Sequence, residues 1–60
     1  MKIKILKPIP VQPQFRPTVN KIYDVVEYEN KKQLAHIDVD GTKVGVYTDP
    51  RAGEAEIVEG

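Results

Sequence analysis

The chain has 60 residues, 40% of them hydrophobic and 30% charged, which suffices for one small folded domain and argues against intrinsic disorder. Nine basic and nine acidic residues give no formal net charge, which disfavours a nucleic-acid binder that relies on bulk positive charge. The lack of cysteine excludes disulfides and thiolate metal sites, and no apolar run approaches the ~20 residues of a membrane helix, so we expect a cytoplasmic protein without signal peptide or membrane contact.

The first element in chain order is a strand over residues 2–7, in which polar and apolar residues alternate and Ile3 and Ile5 share one face. Residues 8–20 carry four prolines, which remove amide donors and fix φ. This stretch is therefore predicted to be a long, stiff loop. Its anchors to the core are expected to be Ile9, Val11 and Phe15. Residues 10–13 have P-x-x-P spacing. Such a segment either fixes the loop to its own domain or serves as a ligand for a peptide-binding β-barrel of another protein.

The middle of the chain predicts a meander of strands. Residues 21–29 are rich in β-branched and aromatic side chains, and residues 34–39 follow after a polar turn at 30–33. Asp40 and Gly41 then form a two-residue hairpin loop, because both positions of such a loop require positive φ.

The Asp-Gly loop sets the register of the third strand against a fourth strand that ends near residue 47. The predicted pairs are Val39–Thr42, Ile37–Val44 and Ala35–Val46 on the buried face, and Asp38–Lys43, His36–Gly45 and Leu34–Tyr47 on the outer face. A turn over residues 48–53, with Pro50 in its second position, leads to a short last strand at 55–58. The predicted core is Ile3, Ile5, Val25, Ile37, Val39, Val44, Val46 and Ile57, with Phe15 or Ile9 closing one end.

Charge is unevenly distributed along this chain. Residues 1–21 contain five basic residues and no acidic one, whereas residues 22–60 contain nine acidic and four basic residues. Opposite charges that face each other across strands stabilise sheets by ~0.2–1 kcal/mol per pair. We therefore expect the basic first strand to lie against acidic neighbours, and a surface with separate basic and acidic faces is the alternative.

The order of elements resembles the SH3-like barrel. The long first loop corresponds to its RT loop, residues 30–33 to its n-Src loop, residues 40–41 to its distal hairpin, and residues 48–53 to the turn before its last strand. The resemblance implies an all-β, five-stranded, partly open SH3-like barrel with a long Pro-rich first loop, formed by residues 1–60 as a single domain. The chain lacks the tryptophan that the peptide-binding subclass uses, so recognition of Pro-rich ligands is not expected.

Two short runs are also similar to small SH3-like proteins of phages and Gram-positive bacteria. They are Lys-Ile-Tyr-Asp-Val-Val-Glu at 21–27 and Glu-Ile-Val-Glu at 56–59. The function of those proteins is unassigned, and the resemblance implies a phage or prophage accessory protein that acts on a partner in the host cell. The small barrel itself leads us to expect a non-enzymatic module for protein–protein interaction.

The residues that could support chemistry are few. Residues 38–42 read D-x-D-G-T and resemble the first motif of haloacid dehalogenase phosphotransferases, but such enzymes need a doubly wound sheet of ~150 residues or more. The predicted hairpin loop at Asp40 and Gly41 accounts for the same residues without an enzyme. His36 is the only histidine, and side-chain hydroxyls come only from threonine and tyrosine. We therefore expect no enzymatic activity, no cofactor and no bound metal.

The candidate partner surface consists of Phe15, Arg16, Tyr28, Leu34, His36 and Tyr47. Alternation places Leu34 and Tyr47 as an apolar pair outside the core and points Tyr28 outward as well, and exposed apolar patches mark interfaces. Burial of that pair beneath the Pro-rich loop is the alternative. We expect another protein as the partner and a monomer or weak homo-oligomer. A nucleic acid bound by the tyrosines together with Arg16, Lys31, Lys32 and Lys43 is the second possibility for the partner.

Overall fold

The computed structural model describes all 60 residues and consists of strands and turns without an α-helix. The strands are β1 (Lys2–Ile5), β2 (Ile22–Glu29), β3 (Leu34–Val39), β4 (Thr42–Tyr47) and β5 (Ala55–Glu59), and one 3₁₀ turn spans Pro13–Phe15. All five predicted strands are present. β1 ends two residues earlier than predicted, and β5 continues one residue further.

The strands form one antiparallel sheet in the order β4-β3-β2-β1-β5. β2 belongs to both halves of this sheet, because residues 22–24 pair with β1 and residues 25–29 pair with β3. β4 and β5 lie at the two edges, so the sheet is not closed. The expected all-β, five-stranded architecture is confirmed at this level.

The β3–β4 hairpin has the predicted register at every position. Asp40 and Gly41 occupy the loop with φ values of 50° and 82°, the left-handed conformation that a two-residue loop of this type requires. Ile37 and Val44 face each other and are both buried. One strongly preferred turn therefore decides which residues of two strands enter the core.

β2 contains a bulge at Val26 that simple alternation does not predict. Its neighbours Val25 and Glu27 pair with successive residues of β3, so Val26 has no partner of its own. An extra residue in one strand reverses the face to which the following side chains point. Tyr28 consequently packs against the core, and the prediction that it points outward is wrong.

The core is a cluster of nine buried apolar residues: Ile3, Ile5, Ile9, Ala35, Ile37, Val39, Val44, Val46 and Ala55. Six of the eight strand residues predicted for the core are among them, and Val25 packs against the cluster while partly exposed. The prediction that Ile57 belongs to the core is wrong. It faces Ile3, but 44% of its surface is exposed because β5 is an edge strand and no further strand covers it. Ala55 fills the buried position of β5 instead.

Residues 6–21, which connect β1 to β2, fold back onto their own sheet. Ile9 enters the core and Val11 packs against it. The Arg16 guanidinium donates hydrogen bonds to the carbonyl oxygens of both residues, at 3.1 Å and 3.0 Å. These contacts favour the interpretation that residues 10–13 fix the loop to its own domain.

The basic strand β1 lies between acidic neighbours, as the charge distribution predicts. Lys2 faces Asp24 on β2 and Glu59 on β5, and Lys4 faces Glu56 on β5. The opposite charges of the two parts of the chain are thus interleaved across three strands of the sheet.

Candidate interaction surface

The outer face of the β3–β4 hairpin carries a partly exposed apolar patch. Leu34 faces Tyr47 across the two strands, and His36 faces Gly45. Tyr47 is 44% exposed, whereas Leu34 and His36 are half-buried. A Cβ at position 45 would lie 3.3 Å from Leu34 Cδ1 and 3.6 Å from the His36 ring, so both side chains lean over the glycine. We call Leu34, His36, Gly45 and Tyr47 the outer-face patch.

Glu29 holds His36 at the border of the outer-face patch. The imidazole Nε2 of His36 lies 2.9 Å from Glu29 Oε2, and Lys32 Nζ lies 3.8 Å from the other oxygen of the same carboxylate. Glu29 reaches this face because the bulge at Val26 shifts the alternation of β2. Glu29 is not among the site residues predicted from the sequence, because the bulge that brings it to this face depends on how β2 pairs with β3.

A second ion pair borders the patch on the side of the hairpin loop. Lys43 faces Asp38 as predicted, but its ammonium contacts Glu27 on β2, with an Nζ–Oε1 distance of 2.8 Å. The hydrogen bond from Lys43 and its charge, with a smaller contribution from His36, lower the pKa of Glu27 below its ordinary value. Both side chains of the pair are more than half exposed, so it contributes more to the polar border than to stability.

Only three of the six predicted surface residues share this face: Leu34, His36 and Tyr47. Phe15 packs against the core, and Arg16 binds backbone carbonyls of its own segment. The anchored side chains of residues 6–21 thus face the core, and Tyr47 stays exposed. The alternative in which this segment buries Leu34 and Tyr47 as a second small core is therefore wrong.

Tyr28 has a structural role on the inner side of the sheet. Its hydroxyl lies 3.1 Å from Thr48 Oγ1, and the buried Thr48 hydroxyl donates to the carbonyl oxygen of Gln33 at 3.1 Å. Because the Thr48 proton is used in that bond, Tyr28 is the donor in the first one. The chain of hydrogen bonds ties β2 and the β2–β3 turn to the residue that follows β4.

The proposed combination of tyrosines and basic residues is not assembled. Tyr28 and Tyr47 lie on opposite faces of the sheet, and Lys32 and Lys43 each lie beside a glutamate.

No three histidine, cysteine or carboxylate side chains converge as metal ligands would. No helix has the length and apolar character of a membrane span.

The surface also has two concave regions. An apolar groove of about 350 Å³ lies between β5 and the β4–β5 connection and is lined in part by Leu6, Pro50 and Ile57. A polar cavity of about 260 Å³ lies where residues 16–21 approach the β3–β4 loop, and Lys21 there sits 5.1 Å from the centre of a tyrosine ring. Basic and acidic side chains both line the second cavity, so its charge is balanced.

Comparison with protein-family models finds no match for this chain, and comparisons with curated proteins and with solved structures find none either. The function must therefore be argued from the geometry of the surface.

Proposed function

We propose that this protein is a non-enzymatic module for protein–protein interaction and that it binds its partner through the outer-face patch. The observation that carries the proposal is the open cross-strand pair of Leu34 and Tyr47 on the β3–β4 hairpin. Isolated exposed apolar residues are common, but an aromatic and an aliphatic residue facing each other across two strands form a continuous patch.

The surroundings of this pair suit a protein partner. Tyrosine is enriched at interface centres because its ring offers a large contact area and its hydroxyl can form a hydrogen bond. The pairs His36–Glu29 and Lys43–Glu27 supply a polar border around it. The patch lies on paired strands, so little conformational entropy is lost when a partner binds.

An SH3-like arrangement is part of the proposal. Its support is the strand order β4-β3-β2-β1-β5, the sharing of β2 between both halves of the sheet, and the long connection between β1 and β2. The chain lacks the tryptophan of the peptide-binding subclass, so the proposed surface differs from the groove that binds Pro-rich peptides. The resemblance to phage proteins makes a host protein the proposed partner.

The experiment captures partners from cells with the tagged chain, identifies them, and measures binding with each purified candidate. Tyr47→Ala is expected to abolish binding and to change the free energy of unfolding by less than about 1 kcal/mol, since the side chain is exposed. Ile22→Ala is the matched control, because Ile22 is 52% exposed on β2 outside the patch.

Two results would contradict the proposal. One is a Tyr47→Ala variant that binds as tightly as the wild-type chain. The other is a nucleic acid as the partner, recognised by an affinity that falls steeply with salt concentration as phosphate contacts require.

A further inference from the structure

The two edges of the sheet are not equivalent. On β4, the backbone N–H of Tyr47 is occupied by Glu54, whose Oε1 lies 3.0 Å away, and the charged Lys43 lies further along the same strand. On β5, Ile57 and Val58 are each 44% exposed, and residues 55–59 contain neither proline nor lysine. Those residues are common means of protecting an edge strand from pairing with another chain.

The backbone of β5 is exposed at one position of its open edge. The N–H of Leu6 donates to the carbonyl oxygen of Glu54 at 2.9 Å, so residue 54 directs its polar backbone groups toward β1. Because this direction alternates along an antiparallel strand, Ala55 and Ile57 direct theirs away from β1. Ala55 is buried and the register of β1 and β5 shifts after Ile57, so Ile57 is the residue whose backbone groups a partner can reach.

The apolar groove lies beside Ile57. Ala55 and Ile57 form one wall, and Pro50 in the β4–β5 connection lines it as well. An added strand would therefore find backbone partners and a place for an apolar side chain at the same edge.

The charges beside the edge specify the occupant. Along the outer face, Lys2 lies between Asp24 and Glu59, and Lys4 lies beside Glu56, so acidic and basic residues alternate from strand to strand. A further strand on β5 would continue this alternation with basic side chains next to the two glutamates. A second copy of β5 would instead bring acidic residues together, since residues 54–59 contain three glutamates and no base.

We propose that the open edge of β5 binds an extended segment of a partner protein in which basic residues alternate with β-branched apolar residues. The segment pairs with the backbone of Ile57, places its apolar side chain in the groove beside Ile57, and sets its basic side chains next to Glu56 and Glu59. This site is separate from the outer-face patch, so either proposal can fail while the other holds.

The test titrates ¹⁵N-labelled full-length protein with a blocked peptide of sequence Thr-Lys-Val-Lys-Val-Thr and follows amide shifts and hydrogen exchange. The expected result is protection of the Ile57 amide by the peptide. Ile57→Pro removes one outward-facing donor, which β1 does not use, and is expected to weaken binding at least about ten-fold. Ile57→Thr keeps the donor and removes the apolar contact. It replaces Ile57→Pro as the test variant if the proline variant does not fold, and it is likewise expected to weaken binding.

Two controls make the outcome specific. Ile22→Thr removes a similarly exposed apolar side chain from β2 and is expected to bind like the wild-type chain. Glu56→Lys is expected to weaken binding of the lysine peptide and to favour a peptide with glutamate in place of both lysines. The proposal is overturned by protection at β4 instead of β5, by self-association of the chain, by unchanged binding in Ile57→Pro and Ile57→Thr, or by no shift at several millimolar peptide.

Discussion

Tyr28 and Thr48 show how much one pair of side chains contributes to joining distant parts of this chain. The Tyr28 hydroxyl donates to Thr48, which donates to Gln33, so three segments meet in one chain of hydrogen bonds. Both hydrogen bonds are partly buried, and at such a place a missing partner is more costly than at the surface.

Tyr28→Phe is expected to lower the free energy of unfolding by about 0.5–1.5 kcal/mol, because Thr48 loses its donor while the ring still packs. Urea denaturation measures this loss. Tyr47→Phe is the control and should unfold like the wild-type chain, since no hydrogen bond of its hydroxyl is present in the structure. Equal stability of Tyr28→Phe and Tyr47→Phe would mean that the internal hydrogen bonds contribute nothing net.

The ion pair of Lys43 and Glu27 makes stability depend on pH. The pKa of Glu27 is lowered in the folded chain, so its contribution is present above the ordinary carboxyl pKa and is lost as the pH falls through the lowered value. Lys43→Met removes that contribution. The difference in free energy of unfolding between wild type and Lys43→Met should therefore be present at neutral pH and vanish in acid, once the pH has fallen below the lowered pKa of Glu27.

Denaturation curves at a series of pH values test this dependence. Lys31→Met is the control, because Lys31 lies in the exposed β2–β3 turn and takes part in no ion pair of the structure. A difference between wild type and Lys43→Met that stays constant down to acid pH would contradict the role assigned to the pair.

At the scale of single elements, the β3–β4 hairpin depends on two residues with positive φ. Gly41 has a φ of 82°, and a Cβ added there would meet no atom within 4 Å. The cost of a side chain at this position is therefore one of backbone conformation and not of packing. In the left-handed region that cost is about 1 kcal/mol for a residue with a Cβ.

Gly41→Ala is accordingly expected to lower the free energy of unfolding by about 1 kcal/mol. Thermal or urea unfolding provides the measurement. Gly60→Ala is the matched control, since a Cβ at the last residue also meets nothing and that glycine has no positive φ. If Gly41→Ala is as stable as Gly60→Ala, the turn does not impose the conformation that the structure shows.

At the scale of the whole molecule, interleaving of charge joins the basic N-terminal part of the chain to the acidic remainder. β1 is the central strand of this arrangement, with acidic residues facing it from β2 and β5. A domain of this size has only a small net stability, so even weak cross-strand pairs are measurable.

Lys4→Glu places two carboxylates opposite each other on β1 and β5 and is expected to lower the free energy of unfolding by about 1 kcal/mol. The loss should shrink in about 1 M salt, where charges are screened beyond roughly 3 Å. Lys31→Glu makes the same charge change in the β2–β3 turn and should cost little. Equal losses in the two variants would show that net charge, and not the cross-strand arrangement, is responsible.

The sequence by itself determined the five strands, the register of the β3–β4 hairpin and the pairing of Leu34 with Tyr47 on its outer face. These features follow from local rules, since Asp-Gly requires one type of turn and alternation then assigns every face. Only the tertiary structure decided the rest. The bulge at Val26 placed Tyr28 inside and Glu29 outside, and the edge position of β5 exposed Ile57, because both depend on how strands distant in the chain pair with one another.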